Sequence, residues 1–145
     1  MINSSNPKDL IGNTKLPLHL WPSTATAMGC VGLLEGECKY GRSNFRQHSV
    51  MASIYVDAAK RHLDAWMEGE EVAPDSGVPH LANALASIAI LVDCQAHDRL
   101  VDDRNYAPNN GYRRLVDRLT SHVTRLKEMF ADRSPRHYTI KDNSQ

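Results

Sequence analysis

Apolar residues recur at three- and four-residue steps in four separate stretches of this chain, and nowhere do they alternate at the two-residue step of a half-buried strand. That periodicity restricts the fold class more than any other feature, because helices with one apolar face must pack on other helices. The first stretch starts at Ser23, a suitable N-cap, and runs through Met28, Val31, Leu34 and Cys38 to Gly41, a suitable terminator. Gly29, Gly32 and Gly36 lie inside it. Each costs a helix roughly 1 kcal/mol against alanine, so they imply close approach by a neighbouring helix or a ligand. A second helix is predicted from about Ser49 to Glu68, with Met51, Ile54, Ala58, Ala65 and Trp66 near one stripe. After the turn residues 69–77 comes a strongly apolar third helix, carrying Leu81, Ala84, Leu85, Ile88, Leu91 and Val92, with Asp75 or Ser76 as its predicted cap. Leu115, Leu119, Val123, Leu126 and Phe130 mark the fourth.

The expectation is therefore an all-α, four-helix bundle-like fold. A looped or extended arm, residues 1–22, is signalled by Pro7, Pro17, Pro22 and Gly12-Asn13. The helical body then occupies residues 23–131 and a polar tail residues 132–145. A length of 145 residues suits one domain. With 17 basic and 17 acidic residues there is no overall field to attract nucleic acid, so direct nucleic-acid binding is not expected and any anion site must be local. The longest apolar run, Leu85 to Val92, is too short to span a membrane, and the N-terminus lacks a basic segment followed by an apolar one, which predicts a soluble, unexported protein. Cys30, Cys38 and Cys94 have neither C-x-x-C nor zinc-type spacing and read as reduced, mostly packed thiols.

Two clusters carry chemistry. In the segment from Glu35 to Arg46, Lys39, Arg42 and Arg46 could bond phosphate oxygens while Tyr40 or Phe45 stacks on a base; the same residues also suit an ordinary solvated turn. The second and third helices, joined by a short turn, should lie side by side. His62 could then approach His80, with Glu70 and Asp75 between them, giving four potential ligands for a hard divalent cation that grips a polyphosphate. Singly, each has a plainer reading: hydrogen-bonded core histidines, a capping aspartate and a solvated acidic end.

Several spaced motifs occur together in one order: Asn6-Pro7-Lys8-Asp9, Gly12, Lys15-x-Pro17, Lys39-Tyr40-Gly41, Asn44-Phe45-Arg46, Arg61-His62-x-x-Ala65-Trp66, Gly69-Glu70 and Asp75-Ser76-Gly77-x-x-His80-Leu81. Through them the chain resembles the phage-encoded dATP/dGTP diphosphohydrolases, within or beside the MazG-like all-α pyrophosphohydrolases that include the MazZ proteins. The resemblance implies Mg2+- or Mn2+-dependent hydrolysis of a purine deoxynucleoside triphosphate between its α- and β-phosphates, releasing pyrophosphate. It implies a metal-binding or supporting set of His62, Glu70, Asp75 and His80, with Glu35 as an addition. It also implies phosphate contacts from Lys15, Lys39, Asn44, Arg46 and Arg61, and base or sugar packing by Tyr40, Phe45 and Trp66. A homodimer or homotetramer in the cytoplasm, that of the host if phage-encoded, follows from the same resemblance. Two features depart from the MazG-like pattern. Its glutamate pairs, E-E-x-x-E and E-x-x-D, are replaced by Asp57 with Arg61-His62 and by His80-x-x-Asn83, and Phe45 stands where a tryptophan is expected. Two other readings remain at this level. One is an HD-type dNTP phosphohydrolase, for which His97-Asp98 is the sole His-Asp dipeptide; the other is a non-catalytic helical interaction module.

Overall fold

The computed structural model describes residues 5–106, 108 and 111–143. The fold is all-α, as the periodicity requires. The helices are α1 (Pro7–Gly12), α2 (Ser23–Tyr40), α3 (Asn44–His48), α4 (Ala52–Met67), α5 (His80–Ala96) and α6 (Gly111–Met129). The chain divides into two compact units, Met1–Asp102 and Asp103–Gln145.

In the first unit, α5 packs against both α4 and α2. The core is built from small residues, with Ala52, Ala59, Ala73, Ala82, Ala84, Ala86, Val50 and Cys94 buried. Small side chains let helix axes approach closely, and Gly32 takes this furthest. A Cβ built there would collide with the Ala82 carbonyl oxygen and lie 2.8 Å from the Ala86 Cβ. Of the three α2 glycines, Gly32 thus answers the close approach read from the sequence. Gly29 would make only an ordinary 3.8 Å contact with Leu85, and Gly36 faces open space.

Four local expectations are corrected. Asn6 caps a short helix inside the predicted arm by accepting from Lys8 N at 3.0 Å, and a 3-10 turn follows at Leu18–Leu20. Helix α2 takes Ser23 as its first residue, with Pro22 at the cap position. The segment predicted to begin the second helix at Ser49 first makes α3 and a two-residue parallel pairing of β1 (Val50–Met51) with β2 (Leu100–Val101). Ser49 itself has φ 63°, which breaks the helical path. Helix α5 begins at His80 rather than being capped by Asp75 or Ser76, because the preceding chain folds on itself: Val72 bridges Pro79, and Gly77 N donates to Ala73 O at 2.8 Å. The thiols also differ from expectation. Cys94 is buried and its Sγ lies 3.7 Å from the Phe45 carbonyl, whereas Cys30 and Cys38 are exposed.

In the second unit, the apolar residues of α6 are all exposed, and no described residue of that helix is buried. Among the described residues no helix is long and apolar enough to cross a membrane.

Candidate functional site

The connection between α4 and α5 sets the positions of four candidate side chains. Gly69, at φ 96°, turns the chain out of α4, and Glu70 N then donates to Ala65 O at 3.0 Å. His80 N donates to Glu71 O at 3.0 Å, so Glu70 is held beside the first turn of α5. Asp75 occupies the tip of the loop, where one carboxylate oxygen accepts from Ser76 N at 2.9 Å.

His62 of α4 and His80 of α5 meet as the paired helices predict. Their Nδ1 atoms are 2.9 Å apart, and His80 Nε2 lies 2.7 Å from Glu70 Oε1. His80 is buried at 5% exposure and both its ring nitrogens are engaged. Burial and the facing His80 ring push the His62 imidazole below its ordinary range, against the opposing pull of Glu35 and Asp75. Both effects favour the neutral imidazole.

A cavity of ≈ 790 Å³ opens between α2, α4, α5 and the loops flanking them. Its size suits a nucleotide-scale ligand. Glu35, Lys39, His62, Asp75 and Asn83 line it, together with Arg42, Asn44 and the aromatic residues Tyr40, Phe45 and Tyr55. Glu35 accepts from Lys39 Nζ at 2.7 Å. This bond, with the Lys39 charge and hydrogen bonds from Asn83 and Ser76, holds the Glu35 carboxyl below its usual range although burial opposes it. The Lys39 ammonium is raised by Glu35 first and by Asp75 to a lesser degree. The cavity lining thus combines two carboxylates, an ammonium, an amide and an imidazole whose neutral form is favoured.

Other candidates lie elsewhere. Arg46 makes a two-pronged ion pair with Asp93, at 2.8 and 2.6 Å, and is not among the residues lining the cavity. Its guanidinium edge is already occupied, so it ties α3 to α5 instead of facing a phosphate. Lys15, Arg61, Trp66, Glu70 and His80 are likewise outside the lining. His97, of the His-Asp dipeptide, hydrogen-bonds through Nδ1 to the Asp93 carbonyl at 2.8 Å, and neither His97 nor Asp98 reaches the cavity lining.

Tyr55 is a further lining residue that no motif marks in the sequence, although Tyr55, Ala58 and His62 share helical spacing and all line the cavity. Asn83 and Ser87 also line it, and their signal was visible as a polar stripe beginning at His80 on an otherwise apolar helix.

Among the described residues, no three His, Cys, Asp or Glu side chains converge as a metal-holding group. Magnesium bound with a polyphosphate needs fewer protein ligands than such a cage, because one or two carboxylates, substrate oxygens and waters complete its shell. Glu35 and Asp75 provide two hard oxygen donors at one cavity, and the chemistry of this pair fits a divalent cation accompanied by substrate. His80, with no free ring nitrogen, does not fit as a ligand.

A family model described as dATP/dGTP diphosphohydrolase, N-terminal, matches residues 5–104. That span contains every residue lining the cavity. No curated protein matches the chain significantly, and no solved structure does.

Proposed function

From the premise that this chain belongs to the dATP/dGTP diphosphohydrolase family through its N-terminal region, a hydrolase acting on a deoxynucleoside triphosphate, we propose that it converts dATP or dGTP to the monophosphate and pyrophosphate in a Mg2+- or Mn2+-dependent reaction. The observation that carries this reading is the cavity that combines paired carboxylates and cations with aromatic surface.

In this reading Glu35 and Asp75 hold the cation. When bound, it would neutralise phosphate charge and help activate water. Lys39, Arg42 and Asn44 bind phosphate oxygens, their donors favouring the charge of a triphosphate over that of a nucleoside. Tyr40, Phe45 and Tyr55 receive the base and exclude water from one side of the ligand. Lys39 is paired with Glu35 and Arg42 with Glu37 in the free protein, so each cation has two competing partners once phosphate enters. We assign the protein to purine nucleotide-pool control or modified-purine synthesis during phage infection. We place it in the cytoplasm, as a homodimer or homotetramer. Light scattering at micromolar concentration tests the assembly, and a strict monomer contradicts it.

The test of function is a panel of common nucleotides with Mg2+ or Mn2+, the products being resolved by chromatography. Monophosphate and pyrophosphate from dGTP or dATP are expected. Nucleoside with inorganic triphosphate would identify an HD-type activity instead, and no turnover of any triphosphate would leave a binding module.

A further inference from the structure

Glu70 and His80 lie outside the cavity lining, yet they are linked in single file to a residue that belongs to it. The chain of contacts runs Glu70 Oε1 to His80 Nε2 at 2.7 Å, then His80 Nδ1 to His62 Nδ1 at 2.9 Å. With both rings neutral and the carboxylate ionised, hydrogen-bond chemistry sets the direction of each link. An ionised carboxylate only accepts, so His80 Nε2 carries the hydrogen. In a neutral ring His80 Nδ1 must then be the acceptor, and the hydrogen on the second link belongs to His62 Nδ1. That leaves the lone pair of His62 on Nε2. Because His62 lines the cavity while its Nδ1 edge is turned to His80, the Nε2 edge is the one left to face a ligand.

We propose that Glu70, His80 and His62 form a proton-ordering relay that presents the His62 Nε2 lone pair to the attacking water, with His62 as the catalytic base and Glu70 and His80 as positioning residues. This rests on the reading of the cavity as a triphosphate hydrolysis site. In the step, water gives a proton to His62 Nε2 while its oxygen forms the new bond to the α-phosphorus. The bond from that phosphorus to the bridging oxygen breaks, and its electron pair leaves with pyrophosphate. The imidazolium that results carries a hydrogen on each nitrogen and one positive charge spread over the ring. The Glu70 charge, transmitted through the His80 hydrogen bonds, stabilises it, alongside the longer-range pull of Glu35 and Asp75. Burial of His80 at 5% exposure keeps water from interrupting the file.

The relay can be read in the free protein, independently of turnover. With 15N-labelled histidine, and with His62→Gln to assign the signals, nitrogen NMR should show His62 protonated at Nδ1 and His80 at Nε2. A His62 ring protonated at Nε2 overturns the proposal. Kinetics supply the second arm. Glu70→Gln keeps an acceptor of similar shape at a half-exposed position but removes the charge. It should lower kcat roughly 10- to 100-fold with little change in KM, while His62→Gln lowers kcat roughly 100-fold or more. His80→Gln tests the middle link, and Glu70→Gln keeps the test decisive if that buried variant does not fold. A wild-type kcat in Glu70→Gln overturns the positioning role even if the tautomers are as expected. A wild-type protein inert toward every triphosphate overturns the hydrolase reading and with it the base assignment to His62, whereas the NMR result stands or falls separately on the hydrogen-bond order.

Discussion

Helices α5 and α6 are of similar length but solve opposite problems. Helix α5 is apolar around most of its surface and is built from alanines where it meets its neighbours; Ala82, Ala84 and Ala86 are buried. Helix α6 splits its surface instead. Tyr112, Val116, Leu119, Val123, Leu126 and Phe130 follow each other at alternating steps of four and three, with arginines such as Arg114, Arg118 and Arg125 between them, and every one of those apolar residues is exposed. Polar residues therefore carry different meaning on the two helices. On α6 the polar residues are what any solvated face requires. On α5, a helix packed against α2 and α4 and tied to α3, His80, Asn83 and Ser87 each need a reason to be there. The histidine finds it in a hydrogen-bonded file, and Asn83 and Ser87 face the cavity.

The sharpest way to break this contrast is to force α2 away from α5. Gly32→Val would place side-chain atoms against the Ala82 carbonyl and Ala86. A loss of roughly 1–3 kcal/mol in chemical denaturation is expected, together with loss of turnover, because Glu35 lies one turn further along the same helix. Gly36→Ala is its control. Nothing lies within 4 Å of a Cβ at that position, so the same measurement should show a gain of about 0.5–1 kcal/mol.

A smaller effect is expected at the Arg46–Asp93 pair. Arg46 holds the Asp93 carboxyl below its usual range in the folded chain, so protonation favours the unfolded state. The pair's stabilisation is therefore present above the ordinary carboxylate pKa and is lost as pH falls through the depressed folded value. Arg46→Ala should lower the Tm slightly near neutrality, and the difference from wild type should vanish at acidic pH. A difference that widens on acidification would show that the pair has another role. The smallest effect belongs to α6. All residues lining the cavity are in the first unit, so Leu119→Asp should leave kcat and KM for dGTP nearly unchanged. A large fall in kcat would show that α6 supports the site.

Much of the helix content was legible because burial imposes periodicity, and α2, α4, α5 and α6 each carry it. The pairing of His62 with His80 was legible too, since a short connection between helices constrains its neighbours. What the sequence hid was decided by backbone and by partner choice. Nothing local in Ser49 announces a φ of 63°, and the pairing of Val50 with Leu100 joins residues far apart in the chain. Arg46 has the side chain of a phosphate ligand, and only the fold reveals that Asp93, from another helix, occupies it. Tyr55 was hidden for the opposite reason: on an amphipathic helix a tyrosine reads as ordinary packing until a cavity is seen beside it.

The most direct test is to follow dGTP with Mg2+ by phosphorus NMR, using wild type and Asp75→Asn at matched folded concentration. Wild type should yield dGMP and pyrophosphate, and the variant should be slower on the order of 100-fold with its helicity intact. Release of inorganic triphosphate by the wild type, or equal rates for the two proteins, would contradict the assignment of this cavity.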